Sequence, residues 1–330
     1  MIAPDLGRPL AASAACPDRA QNAGCLLLLR PAAFGYNEET AGTNRFQRRP
    51  AASGVSQNRA AAEFDRLCAA LLQAGVRLCV ADDSIAPPKP DAIFPNNWVS
   101  WHHDGTVVLY PMQPVSRRAE RRFELVEMAE AHAGFERRRL IDLSAYESEG
   151  RYLEGTGSLV LDHRCGIAYA CRSPRTDERL VTEWGRMLGY EPVIFDARAA
   201  DGTAPYHTNV MLAIGSEWAM ICSGAIVAAD RARVLASLAA SGRKIIEISL
   251  SAMQRFAANV LEVRSGASRD DVRRVLAMSS SAAEALRAEG QGRWETLLSC
   301  VDERVVADIG TIEQVGGGSV RCMLAEIFVA

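Results

Sequence analysis

The chain has no apolar run approaching the ~20 residues of a membrane span, and residues 1–23 have no basic start followed by an apolar core. Neither a spanning helix nor a cleaved secretory signal is expected. It also lacks an excess of one charge. Lys and Arg number 37 against 40 Asp and Glu, a formal charge of −3, which leaves no footprint for nucleic acid or an anionic membrane. No CxxC or HExxH pair accompanies His163, Cys165 and Cys171, so no metal is expected. The GxSxG elbow and the phosphate-cradling GxxxxGKS/T loop are missing, and Gly155-Thr156-Gly157 has no third glycine for a dinucleotide fingerprint. The expected chemistry is therefore cofactor-free. Nine cysteines, odd in number and in no framework spacing, point away from a disulfide-built secreted protein and toward a reducing cytoplasm.

What the chain has in quantity is apolar residues, 48% of 330, enough for one large domain or two ordinary ones. Short apolar runs read as strands at 25–29, 76–80, 107–110, 159–161, 167–170, 192–195, 210–214, 218–222, 245–248, 305–307 and 323–328. Helical spacing recurs at 60–73, 119–133, 175–188, 230–241 and 269–288. No Pro/Gly/Ser linker divides these segments. Two or three strands alternating with a helix suggest repeated ββα-type units in a single α+β domain over 24–330. Residues 1–23, dominated by Pro, Ala, Gly and Asp, read as a loosely ordered leader.

Four segments carry chemistry. Gly316-Gly317-Gly318-Ser319-Val320-Arg321-Cys322 sets a thiol behind three glycines, whose backbone can adopt φ > 0 and approach a ligand closely. Free cysteine is also a common core residue. Residues 90–98 hold Asp91, Asn96 and Asn97 among apolar neighbours, costly to bury without partners, although an Asx-turn fits the same pattern. Glu154 precedes Gly155 and Gly157, and can point inward or sit on a surface turn. His207 and Asn209 stand at the start of an apolar strand, where a lone histidine can equally be a satisfied core residue. Together the segments supply a nucleophile, a proton carrier and a carboxylate. Triad logic is spatial, so the distance along the chain is no objection.

In that order, these segments resemble the guanidino-group modifying enzymes: arginine deiminases, dimethylarginine dimethylaminohydrolases, amidinotransferases and dihydrolases. The Leu29-Arg30-Pro31-x-x-Phe34-Gly35-Tyr36-Asn37-Glu38-Glu39-Thr40 opening and residues 90–98 look most like the citrulline-utilisation hydrolase branch. The resemblance implies a five-bladed α/β propeller of ββαβ units around a central pocket, the pentein fold. It implies that Cys322 attacks the central carbon, that His207 protonates the leaving amine and then activates water, and that Glu154 holds the planar N–H face of the substrate. It places Asp91 and Asn97 at substrate-contacting positions, Asn97 standing where many relatives have an aspartate. Arg175 and Arg118 match loops that clamp the substrate carboxylate, a task suited to bidentate guanidinium. Asn44 matches an asparagine at the pocket mouth, and Asn209 stands where many deiminases carry aspartate.

An amide at 97 suits a neutral ureido group, whose carbonyl needs a donor, better than an ionised aspartate does. The expected reaction is cleavage of citrulline, arginine or both to ornithine, ammonia and carbon dioxide. A citrulline-releasing deiminase or dimethylarginine hydrolase is the alternative; a non-catalytic binding propeller is a remote one. The expected partner is a small amino-acid substrate, and self-association is left open.

Overall fold

The computed structural model describes residues 19–50, 55–266 and 272–329. Most of the expected leader, residues 1–18, lies outside the described residues. Its last few do not, and they are ordered. Gln21 Nε2 donates to Leu161 O at 2.9 Å and Arg264 N to Ala23 O at 2.9 Å, so the packed domain reaches upstream of residue 24.

The chain opens with β1 (Cys25–Arg30) and β2 (Arg77–Asp82), parallel neighbours joined through the helix Val55–Gln73. Five consecutive apolar residues of β1 are buried, as a strand covered on both faces requires. Four three-stranded sheets follow, each in the order of its strands: β3 (Val99–Trp101), β4 (Thr106–Leu109) and β5 (Arg139–Asp142); β6 (Leu159–Asp162), β7 (Ile167–Cys171) and β8 (Glu191–Phe195). The last two are β9 (Leu212–Ile214), β10 (Trp218–Ile221) and β11 (Lys244–Glu247), then β12 (Leu261–Ser265), β13 (Arg273–Ser279) and β14 (Glu303–Ala307). In each, the first pair is antiparallel and the second parallel, across a crossover that carries a helix. Finally β15 (Ala325–Ile327) pairs antiparallel with β1, Cys25 opposite Ile327, completing the fifth sheet and closing the ring. This is the expected five-bladed α+β propeller.

The crossover helices are set by local chemistry. In Glu178–Leu188, Asp177 caps the start by accepting from Leu180 N, Leu180, Val181, Trp184 and Leu188 form the buried stripe, and Gly189 at φ 71° ends it. Two expected helices differ. The segment 273–279 is strand β13, and the helix covers only Ser280–Ala288, capped by Ser279. Its Val275-Leu276-Ala277-Met278 run is buried between two neighbouring strands, and a continuous apolar run carries no period to distinguish strand from helix. The expected helix at 119–133 is helical only over Phe123–Ala133, and a separate helical turn, Val115–Arg118, precedes it. Strands β3, β5 and β12, and the helix Gln291–Leu298, carried no strong sequence pattern.

The segments preceding β3, β6, β9, β12 and β15 meet at the centre and are bonded one to the next. Asn96 Nδ2 donates to Thr156 Oγ1 (3.2 Å), Thr208 Oγ1 to Ser158 O (2.6 Å), Asn259 Nδ2 to Asn209 O (3.1 Å) and Arg321 N to Asn259 O (3.3 Å). Every blade therefore delivers the residues just before its first strand to one place.

Candidate active site

A cavity at that centre is lined by Thr40, Asn44, Asp91, Asn97, Arg117, Arg175, Tyr206, His207, the three glycines and Cys322, among others. The glycines are explained by protein rather than ligand. Gly317 has φ 66°, and a Cβ there would stand 2.6 Å from Asn44 Nδ2, while one on Gly318 would stand 2.9 Å from the Phe94 ring. The loop 37–48 lies over this ribbon, with Asn44 Nδ2 donating to Gly317 O (3.0 Å) and Gln47 Nε2 to Gly316 O (3.1 Å). Asn37 caps the short helix in that loop and gives its own Nδ2 to Asp91 Oδ2 (2.7 Å).

Glu154 is fully buried and its oxygens are engaged. Oε2 takes a hydrogen bond from His207 Nε2 (2.8 Å) with Arg175 Nη1 at 3.4 Å, and Oε1 accepts from Gln113 N (3.1 Å). It stands behind His207, where the expectation had it facing substrate. Burial alone would raise its pKa, but Arg175, His207 and Arg117 outweigh that and hold it at about 2. Burial pushes His207 down to about 4, against the pull of Glu154. A carboxylate only accepts, so the proton of the neutral ring sits on Nε2. Nδ1 is then a bare lone pair, and it has no hydrogen-bond partner among the described residues.

Arg117, absent from the expected set, is a second buried guanidinium here beside Arg175. It forks onto Glu120 (Nη2 to Oε2, 2.8 Å) and gives Nη1 to Asn97 Oδ1 (2.9 Å), with Asp91 Oδ2 3.9 Å from Nε. Burial opposes its charge, yet Glu120 and Asp91 raise its pKa above the ordinary range. Burial pushes Glu120 up to about 7 despite this partner, and pushes Asp91 up as well. Arg118, named from the sequence, is half-buried elsewhere, donating to Met112 O (3.2 Å) and facing Glu147. The two arginines are adjacent on a helical turn, so only one can point inward, and sequence alone does not say which. Arg175 does line the cavity; its guanidinium is held by Thr43 Oγ1 (2.7 Å) and Thr40 O (3.2 Å) of the covering loop.

Cys322 is 3% exposed. Its Sγ accepts from Asn259 Nδ2 at 3.2 Å and Asn209 Nδ2 at 3.5 Å. Asn259 was not among the residues expected from the sequence. Among the described residues no group of three metal-type side chains is assembled, and no helix is long and apolar enough to cross a membrane.

Gly157 supports the whole arrangement. A Cβ on it would fall 2.5 Å from Asn97 Nδ2 and 2.6 Å from His207 Nδ1, so both functional groups would have to move. Gly157→Ala is expected to lower turnover by about a hundred-fold with little loss of folded protein, checked by kinetics beside circular dichroism. Parent-like turnover would mean the ring and amide are not held where the structure puts them.

No curated protein is a significant match. Several solved structures share the fold. The apo form of ArgZ, an arginine dihydrolase from the ornithine–ammonia cycle in cyanobacteria, superposes with a TM-score of 0.67 at 14% identity, over 92% of this chain and 41% of that one. The chain thus spans about two fifths of full-length ArgZ. The product-bound N-terminal domain of ArgZ gives 0.65 at 15% identity, covering 92% and 99% of the two chains. A dimethylarginine dimethylaminohydrolase adduct with 4-chloro-2-hydroxymethylpyridine gives 0.60 at 13%, again over 92% and 99%. At these identities the likeness establishes the pentein fold and nothing finer. The sequence profile of the family described as "N,N dimethylarginine dimethylhydrolase, eukaryotic" matches residues 30–329. The chain belongs to that family, and its pentein fold is the one these structures share.

Proposed function

We propose that the protein hydrolyses citrulline, arginine or both to ornithine, ammonia and carbon dioxide through a covalent bond to Cys322. The observation that carries this reading is the orientation of Asn97. Arg117 has only donors to give, so the atom 2.9 Å from it must be the amide oxygen. Nδ2 then faces away, on a residue that lines the cavity, with no hydrogen-bond partner among the described residues. That is a donor in want of an acceptor. A ureido carbonyl supplies one, and its oxygen becomes more anionic as sulfur adds to the carbon, so the amide acts as an oxyanion-hole donor.

The chemical steps balance with the groups present. His207 Nδ1 takes the proton of Cys322 as sulfur bonds to the ureido carbon, and Glu154 stabilises the imidazolium. That proton passes to the departing nitrogen, and ammonia leaves. Nδ1 then accepts a proton from water as its oxygen replaces sulfur, giving an N-carboxylated ornithine that loses carbon dioxide. With arginine, the first round replaces one guanidinium nitrogen by water and makes the ureido compound. Asp91 Oδ1, buried and also without a partner among the described residues, suits the N–H groups of the cationic guanidinium. The same carboxylate favours the second reading, an enzyme that acts on arginine or a methylated arginine and stops at citrulline.

Incubation with L-arginine and L-citrulline separately distinguishes the two. Ornithine from citrulline supports the proposal; citrulline accumulating from arginine, with added citrulline untouched, overturns it. Asn97→Asp removes the donor and gives Arg117 an anion to pair with. Ornithine formation from citrulline should fall about a hundred-fold. An unchanged product ratio would count against the amide.

A further inference from the structure

The structure assigns Asn259 as a catalytic residue that, with Asn209, stabilises the negative charge that develops on the sulfur of Cys322 as its proton leaves. Two buried carboxamides converge on Sγ, and each is locked in orientation by a backbone carbonyl. Asn259 Nδ2 donates one hydrogen to Asn209 O at 3.1 Å, and Asn209 Nδ2 donates one to Thr156 O at 3.3 Å. Carbonyls only accept, so in both residues nitrogen, not oxygen, faces that way. Each Nδ2 has a second hydrogen, and in each case it is directed at Sγ, 3.2 Å from Asn259 and 3.5 Å from Asn209. A thiol satisfies two donors poorly. A thiolate accepts both, and hydrogen bonds to ionised acceptors are the stronger ones.

Asn259 cannot turn away to leave the sulfur. Its N–H bonds Phe256 O (2.8 Å), its carbonyl accepts from Arg321 N (3.3 Å), and its side chain is wholly buried. The turn that presents it contains Phe256 at φ 59°, the one non-glycine residue with positive φ among those described. Such a conformation is uncommon for a bulky residue and persists where packing imposes it. Phe256 is pinned by Phe46 of the covering loop, ring centres 4.7 Å apart. The other groups around the cavity are His207, Asp91, Arg117, Arg175 and Tyr206, with Glu154 behind His207. Arg321, next to the cysteine, is turned to Leu324 O and Glu326. Among the described residues only these two amides hydrogen-bond Sγ; both give it an Nδ2 hydrogen, and the S–H of the neutral thiol reaches Asn209 Oδ1 at 3.8 Å.

This inference rests on Cys322 being the nucleophile and not on which substrate it attacks. The test follows alkylation of the intact chain by iodoacetamide across a pH series, quantifying the Cys322 peptide by mass spectrometry so that the other cysteines do not interfere. In Asn259→Leu the reaction profile should move to higher pH and the rate at neutral pH should fall about tenfold or more, with kcat falling in step and KM nearly constant. Asn259→Asp keeps the volume while facing the sulfur with an anion, and should move the profile the same way; it carries the test if the Leu variant does not fold. A folded variant of either kind whose profile superimposes on the parent overturns the proposal. Hydrolysis surviving in Cys322→Ala would instead sink the nucleophile assignment, a separate failure read in a separate assay.

Discussion

Cys322→Ala should abolish turnover, a loss on the order of 10³-fold or more, while the protein keeps its fold. The side chain is small and sits in a wall of Gly316, Gly317 and Gly318 ribbon, His207 and Phe94, so removing one sulfur leaves a minor void rather than a collapsed core. None of the other described thiols can substitute, because none of them lines this cavity. Ammonia release gives the rate, and mass spectrometry after acid quench should find an adduct on the parent chain and none on the variant. Full activity in the variant would end the covalent mechanism.

The second large effect belongs to His207. Its replacement by alanine removes the proton carrier and should cost about 10²- to 10⁴-fold in kcat. The pH profile is more telling. Because burial holds the ring at about 4, the base form is already present at neutral pH, and the acid limb of kcat/KM should fall near pH 4. A limb near pH 6.5, the ordinary histidine value, would show a ring exposed to water. The same shift affects stability. Between about pH 6.5 and 4 the unfolded chain binds a proton at this residue that the folded chain does not, so its contribution is complete above the unfolded value and is lost as pH falls through that window. Glu154, held at about 2, extends the loss lower: its contribution is present above about pH 4.5 and disappears as pH falls toward 2.

Much of this was legible in residue order. The GGG–Cys ribbon, Glu154 before its glycines and His207 before a strand each combine reactive groups with turn chemistry, and the structure gathers all three at the propeller centre. What escaped has a physical reason in each case. Arg117 and Arg118 are neighbours of the same type, and the choice between them is made by the buried Glu120 and Asn97, which no local pattern displays. Segment 273–279 is apolar throughout, hence without period. Asn259 had a signal that went unread: Ala258-Asn259-Val260 repeats the pattern of Thr208-Asn209-Val210 and Asn96-Asn97-Trp98, an asparagine shortly before the first strand of a blade. A fivefold fold makes such positions equivalent in space although nothing in the linear sequence marks them as a set.

The pairing of β15 with β1 has a temporal consequence. It joins residues about 300 apart along the chain, a contact whose entropic cost falls once the intervening blades have folded. Cys322 lies just ahead of β15, so a chain with four blades formed and the ring open has its acid–base pair in place but an unanchored thiol. Reactivity therefore requires the ring to be closed. The premature species, rich in native structure, is chemically silent.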